Sequence, residues 1–510
     1  MKINPNSDRD FLDKIDLSIE NNFPKFIKSI ELKPFRHIKE LKAEFNHPIS
    51  VISGTNRSGK STILMALACS HTDFQKRNPK NGKLERQTWG SMMKFTSHDN
   101  QKEDWTYIIY YKTGKKIDPK RGQRKKDTKK WNGVAKKESQ IKDRQAVFID
   151  LDRIIPARFF NDKILNLANS GLLSDVSATK VKEINGYISY ILEEQFELKK
   201  LAKYLDKDVF KYGNTNQYTS YNAASGEDVL TRLIIDIVEA KKDSLILIDE
   251  IELGLHPKVQ TRLIDVLYNL SRLENKQFII TTHSATILSS LPEESRIFIE
   301  KCHDSSHKAI HKISVNAALT KMDANSYPLI DLYCEDRESK KIISKAINLI
   351  EKENKLNNFS KLINILVSGS AEITYENFKS HQRTYESKNI KCGFACVLDG
   401  DRRNLSDKKG VLTYPSEEHL HFLYSNEAPE FFLIKAYLEN NPNTTIAYHL
   451  NNSNPHCLFE KVVENSEFNS NDEVFAACWD SFVESENGKK YIETLKSFIL
   501  KMAKEFSQEL

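Results

Sequence analysis

Apolar residues fall into three patterns along this chain, and each pattern predicts an element. A continuous apolar run at residues 245–248, apolar Ile49, Val51 and Ile52, and a β-rich run at 278–282 end on turn or polar residues, as strands buried on both faces of a parallel sheet do. Spacings of three and four place Val229, Leu230, Leu233, Ile234 and Ile237 on one face of a helix that opens at Ser225. The same spacing puts Val181, Ile184, Ile188 and Ile191 on a stripe with Tyr187 beside it. Residues 163–215 are therefore read as a helical insertion, too short for a sustained coiled-coil arm. After residue 325 the pattern restarts. A strand closes on Glu335, a helix covers 339–353, a strand 361–369, a helix about 371–382, and a further strand delivers Asp399 and Asp401. Strand and helix in alternation predict a second parallel sheet. From about residue 429 mixed helical patterns run on. His303, His307 and His311 recur every four residues, but the stretch between them alternates like a strand, so no metal site is read there.

Composition narrows the class. At 510 residues, two or three domains are expected. Hydrophobic residues at 39% with 29% charged describe a soluble globular chain. No run reaches the roughly 18 apolar residues of a membrane span, and the first residues lack the apolar core of a secretory signal. The seven cysteines are scattered without metal-like pairing, so a cytoplasmic setting and no membrane partner are expected. Cys392 and Cys396 share a strand and read as core. The net charge of +6 is uneven: residues 112–144 hold 14 Lys or Arg against 4 Asp or Glu, which is +10 in that stretch and −4 elsewhere. With Pro119, Gly122 and Gly133 inside it, the stretch reads as an exposed basic loop, either simply solvated or contacting nucleic-acid phosphates.

The sharpest chemical signal is Gly54 to Thr62, GTNRSGKST, which meets the pattern G-x-x-x-x-G-K-[ST] at every fixed position, between an apolar strand and a helix. Gly54 and Gly59 let the backbone curl so that N–H groups, with Asn56 and Ser58 in the loop, surround a phosphate. Lys60 reaches the β- and γ-phosphates, Ser61 ligates Mg²⁺, and Thr62 follows at the helix start, whose dipole favours the anion. The chain is expected to bind ATP. The run at 245–248 ends in Asp249 and Glu250, which suit an Mg²⁺ contact and a general base for the attacking water. Ser225, Gly226 and Glu227 open a helix upstream, and His283 follows the strand at 278–282 as a candidate γ-phosphate sensor.

In this order the four motifs resemble the ATP-binding-cassette ATPases of the SMC, RecF and OLD kind. The resemblance implies that Ser225, Gly226 and Glu227 of one subunit cap the nucleotide of another, hence a homodimer or higher even oligomer. The signature departs mildly from the usual form, reading AASGED. Both Gln75 and Gln87 remain open as the family's Q-loop residue.

In the second half Glu335, Asp399 and Asp401 gather at the C-terminal edges of parallel strands, a hard-oxygen set suited to Mg²⁺ or Mn²⁺. Together they resemble a Toprim domain, with Glu335 as general base and Asp399 and Asp401 as bridging metal ligands. The family's glycine after the first acid is Asp336 here, and its second acid is replaced by Ser339, with Glu338 one residue earlier. The further acid that OLD-like proteins carry corresponds to Glu417 or Glu418.

The whole is identified as resembling the OLD family of ATPase–Toprim nucleases, similar to the Gabija nuclease subunit and retron-associated OLD-like nucleases. The expected fold is α/β: an ABC-type ATPase head over 1–325 with the helical insertion, a Toprim domain over 326–425 and a helical extension over 426–510 packing on it. The resemblance implies a metal-dependent DNA endonuclease or nickase gated by nucleotide state, in bacterial antiphage defence, with a partner protein or noncoding RNA or DNA in some systems. Two other readings stand beside it: a nuclease acting on RNA, including tRNA, and a RecF-like repair ATPase with a silent Toprim unit.

Overall fold

The computed structural model describes residues 3–77, 84–96, 98–99, 101–132, 140–154, 180–204, 207–212, 218–302, 306–322, 327–354, 356, 359–387, 391–407 and 410–506. It divides into two compact units, Met1–Ala318 and Leu319–Leu510.

The first unit is built on an eight-stranded sheet. In spatial order its strands are His307–His311, Arg296–Lys301, Ile49–Gly54, Gln277–Thr281, Leu245–Ile248, Ile141–Ile149, His71–Arg77 and Leu84–Arg86. The six inner strands pair in parallel, and the two edge strands are antiparallel. Every residue of Ile49–Gly54, Leu245–Ile248 and Gln277–Thr281 is buried, which is why these strands are apolar throughout or interrupted only by small or hydrogen-bonding residues such as Ser50, Gln277 and Thr281. Helix Ser225–Glu239 buries the stripe its spacing predicts, including Val229, Leu230, Leu233, Ile234 and Ile237, and helix Pro257–Glu274 buries Leu263, Ile264, Val266, Leu267 and Leu270.

Two expectations for this unit need correction. The basic stretch is not a loop: Lys116–Arg124 is a strand, joined by a tight turn to Trp105–Thr113 in a five-stranded antiparallel sheet. Its residues give no apolar–polar alternation, since Lys116, Asp118, Lys120 and Arg124 lie on the face that buries Gly122 while Ile117 on the other face is exposed. Gly122 sits in that strand because a Cβ there would lie 2.3 Å from the Tyr107 ring. Two of its cations are structural. Lys112 is buried and donates to the carbonyls of Leu17, Ile19 and Asn22 at 2.8–2.9 Å, and Arg124 lies 3.8 Å over the Phe95 ring. Residues 133–139, including Gly133, lie outside the described residues.

Among the described residues the insertion is helical over Val181–Leu192, whose Ile184, Tyr187, Ile188 and Ile191 are buried. The helix ends at Glu193 in the left-handed region, φ +61°, and Lys199–Tyr204, Lys207–Tyr212 and Tyr218–Thr219 then form an antiparallel three-stranded sheet. The Lys, Leu and Ala residues there are good helix formers, and strand pairing overrides that local preference. Residues 155–179 of the expected insertion lie outside the described residues. His307 and His311 lie on a strand, His311 Nε2 accepting from the Glu44 N–H at 2.9 Å, and His303 is outside the described residues.

The second unit holds a parallel sheet in the order Ile363–Val367, Ile330–Cys334, Gly393–Leu398, Leu420–Phe422. Helix Ala371–Thr384 packs on the two middle strands, Arg337–Glu353 on the edge strand Ile363–Val367, and Glu486–Phe506 on Gly393–Leu398. Phe378, Phe394, Cys396, Leu398, Tyr414 and Leu420 form its core. Cys396 is core as read, whereas Cys392 precedes the strand and is only half-buried. Residues 429–506 contain five α-helices. No described helix is long and apolar enough to cross a membrane.

Candidate functional site

The loop between Ile49–Gly54 and helix Lys60–Cys69 has the backbone that phosphate binding needs. Gly54 stands at φ +149° and Gly59 at φ +101°. A Cβ on Gly54 would meet the Ile299 carbonyl oxygen at 2.5 Å, so only glycine fits. Lys60 Nζ lies over the loop, donating to Gly54 O at 2.8 Å and Thr55 O at 3.0 Å. Asn56 and Ser61 are exposed at the loop, and Ser58 and Thr62 are buried. Ser58 Oγ has no hydrogen-bond partner among the described residues, as fits a loop shaped for an anion. The chain's donors here, the loop N–H groups and Lys60, suit a triphosphate, and Ser61 with Asp249 suits its Mg²⁺.

Asp249 and Glu250 follow directly on Leu245–Ile248, two strands across the sheet from the loop. Thr281 Oγ1 ties them to the neighbouring strand, donating to Asp249 Oδ1 at 2.6 Å and accepting from the Glu250 N–H at 2.8 Å. Glu250 is held at φ +48°. Burial lowers the Lys60 pKa, and the charges of Asp249, Glu250 and Glu252 act against that shift. His283 is likewise lowered, first by burial and then by the Lys60 charge, with Glu252, Glu250 and Asp249 opposing. Lys60, Asp249, Glu250 and His283 thus share one electrostatic site.

Two further residues shape this site without a sequence motif. Arg153, 7% exposed, donates to the carbonyls of Asp249 at 2.8 Å and Glu250 at 2.5 Å. Glu252 accepts from the His283 N–H at 2.6 Å and from Thr282 Oγ1 at 2.7 Å, setting the turn that carries the histidine. The acid at Glu252, two residues past the expected base, was the available signal for the second; Arg153 carried none. Near Gly59, Arg36 and His37 line a cavity of about 390 Å³ with Met65, Phe95 and Trp105. That cavity was also not read from the sequence.

Ser225, Gly226 and Glu227 open helix Ser225–Glu239 as expected. A Cβ on Gly226 would come 2.3 Å from the Gly254 carbonyl oxygen, so the signature glycine lets this helix approach the turn after Asp249–Glu250. Glu227 is bound by the Tyr218 hydroxyl, and burial raises its pKa.

In the second unit the strand order is 2-1-3-4, so the chain reverses direction across the sheet between Ile330–Cys334 and Gly393–Leu398. Glu335 and Asp399 are the next residues after these two adjacent strands, at the crevice where such folds place ligands. Both are buried, and Glu335 Oε1 accepts from the Asp399 N–H at 2.7 Å. Ser339 Oγ donates to Asp399 Oδ1 at 2.6 Å, so the serine standing in the second acid's place orients the aspartate. Burial, then the Glu335 charge, push the Asp399 carboxyl up to about 8; burial also raises Glu335. Asp401 lies at the exposed rim, with Arg402 Nε 3.4 Å from it and 3.7 Å from Glu335 Oε2. Two crowded carboxylates with so little cationic compensation fit a divalent metal.

The later acids are placed elsewhere. Glu417 is held by Lys379 at 2.7 Å and by the Tyr375 hydroxyl, and Glu418 is paired with Lys501 at the surface. Glu338 pairs with Lys341 at 3.0 Å.

Comparison with known proteins adds to this geometry. The family model described as "AAA domain, putative AbiEii toxin, Type IV TA system" matches residues 96–289. The "Retron Vc95 probable ATPase" of Vibrio cholerae serotype O1 biovar El Tor is 33% identical over 103 residues, 18% of this chain and 19% of that protein. The match thus spans about a fifth of that relative. Among solved structures, the SMC head domain from Thermotoga maritima is 14% identical with a TM-score of 0.34, covering 56% of this chain and 98% of that one. The recombination mediator RecF gives 14% and 0.32 over the same shares. The matched model covers the signature helix, the Asp249–Glu250 pair and His283, and with the phosphate loop upstream it makes the first unit an ATP-binding ATPase domain.

Proposed function

We propose that the chain is an ATP-hydrolysing, metal-dependent DNA endonuclease of the OLD type, with nucleotide state gating a Toprim-like site in the second unit. The observation that carries this reading is the burial of Glu335 and Asp399 side by side where the parallel sheet reverses order. Glu335 is placed to take a proton from water, and Asp399, oriented by Ser339, and Asp401 are placed to hold Mg²⁺ or Mn²⁺. A bound divalent ion supplies charge to a scissile phosphodiester and acid strength to water. In the first unit Lys60 and the loop hold the phosphates of ATP, Glu250 positions water, and Ser225 and Gly226 of a second copy close the site. Exposed Arg121, Lys126, Lys129 and Lys130 on the basic hairpin supply phosphate contacts, which makes DNA binding salt-dependent. The OLD resemblance implies a place in bacterial antiphage defence, and the likeness to a retron ATPase supports that setting.

The test is cleavage of supercoiled plasmid by the full chain in Mg²⁺ or Mn²⁺, with and without ATP. Nicked or linear product is expected, lost in Asp399→Ala, and the ATP lanes give the sign of gating. Cleavage of tRNA but not plasmid would move the substrate to RNA. No cleavage of either under any metal would overturn the nuclease reading in favour of a repair ATPase.

A further inference from the structure

Glu430 is the second residue of helix Pro429–Asn440, is only 3% exposed, and has no Lys or Arg ion pair among the described residues. Its Oε2 has no hydrogen-bond partner among the described residues, and its Oε1 lies 3.7 Å from His456 Nδ1. Leaving a carboxylate oxygen buried and unpartnered costs several kcal/mol in general. Burial, and then the Asp336 charge, raise its pKa accordingly. Asp336 faces the same point. One of its oxygens caps helix Arg337–Glu353 through the Ser339 N–H at 2.8 Å, leaving the other free to turn toward Glu430. His456 is set by the one-turn 3-10 helix Pro455–Cys457, where Asn454 Oδ1 accepts its N–H at 3.1 Å. One ligand atom from each of Asp336, Glu430 and His456 lies within 4.8 Å of the others.

We propose that Asp336, Glu430 and His456 form a site for a divalent transition-metal ion of the Mn²⁺ type. Two carboxylates alone would suit Mg²⁺; the imidazole shifts preference toward a metal that accepts nitrogen. The Asp336 charge also acts on Glu335 and Asp399, so the site adjoins the acidic crevice without using its ligands. Sequence spacing could not show it, since its three ligands lie on a helix cap, a helix first turn and a separate 3-10 turn.

The inference goes beyond the nuclease reading and is read by metal binding, not by cleavage. Mn²⁺ is titrated into the full-length protein and followed by electron paramagnetic resonance, with pulsed detection of histidine nitrogen coupling. A nitrogen-coupled Mn²⁺ is expected in the wild type and in Asp399→Asn, and excess Mg²⁺ should not displace it. The coupling is expected to vanish in His456→Ala, whose side chain is exposed and not needed for packing. Glu430→Gln, nearly isosteric, should weaken that site by about tenfold or more. Absence of nitrogen coupling in the wild type, or its survival in a folded His456→Ala protein, would overturn the site. Loss of cleavage in Asp399→Asn with the coupling retained would leave both readings standing, whereas no cleavage in any form with coupling present would overturn only the nuclease.

Discussion

At the scale of single residues, the ATPase site depends on how Glu250 is held. Its left-handed backbone costs about 1–2 kcal/mol for a residue with a Cβ. Its N–H donates to Thr281 Oγ1 and Arg153 donates to the carbonyls of Asp249 and Glu250, which keeps it there. The consequence is that Arg153 acts as a positioning residue for the carboxylate through the two carbonyls it holds. Glu250→Gln is expected to retain ATP binding and lose hydrolysis by roughly 10²-fold or more, the usual worth of a general base. Arg153→Ala should lower phosphate release by about tenfold with the nucleotide Kd near the wild-type value. A matched loss of binding and turnover in Arg153→Ala would mean that it merely supports the fold. The motif residues Lys60, Asp249, Glu250 and His283 were legible from spacing because each sits at the end of a strong local pattern. Arg153 was not, because the carbonyls it holds lie 96 and 97 residues away.

At the scale of elements, the second unit is fastened by helix Glu486–Phe506. His421, on the edge strand Leu420–Phe422, stacks on Phe498 of that helix at 5.0 Å and lies 6.0 Å from Tyr491. Burial, reinforced by the Arg403 charge, lowers its pKa from 6.5 to about 4. The sign follows from linkage: between these values the unfolded chain binds a proton that the folded one does not. Stability from the neutral imidazole is therefore fully present above pH 6.5 and lost as pH falls toward about 4. The raised carboxyls of Glu335, Asp399 and Glu430 act in the opposite direction, so the measurement must be a difference. His421→Phe is expected to gain stability relative to wild type as pH drops from 6.5 to 4.5, by up to about 3 kcal/mol, read as a widening difference in melting temperature. A constant difference across that range would show that His421 is not the titrating group. Element types in this unit were legible from strand–helix alternation, because each element turns one face to the core. The same logic failed over 199–212, where helix-forming residues pair as strands, and over 116–124, where the strand shows no apolar–polar alternation.

At the scale of the molecule, the first unit offers a phosphate loop and a signature helix, and the proposed dimer joins each loop to the partner's helix. Lys60→Ala and Ser225→Arg should each abolish hydrolysis alone. Mixed together they should recover activity, because one intact loop then meets one intact signature. A mixture no more active than its parts would rule out the shared site.

The sequence by itself determined the phosphate loop, the carboxylate pair after its strand, the signature helix and the two α/β patterns. These are local: a spacing of a few residues dictates backbone curl, helix face or strand burial. Only the tertiary structure decided which distant side chains meet. Strand order set Glu335 beside Asp399 across 64 residues, turned Glu417 and Glu418 toward Lys379 and Lys501 and away from that pair, and brought Asp336, Glu430 and His456 together. The reason is physical: periodicity records how buried each position is, but not which partner buries it.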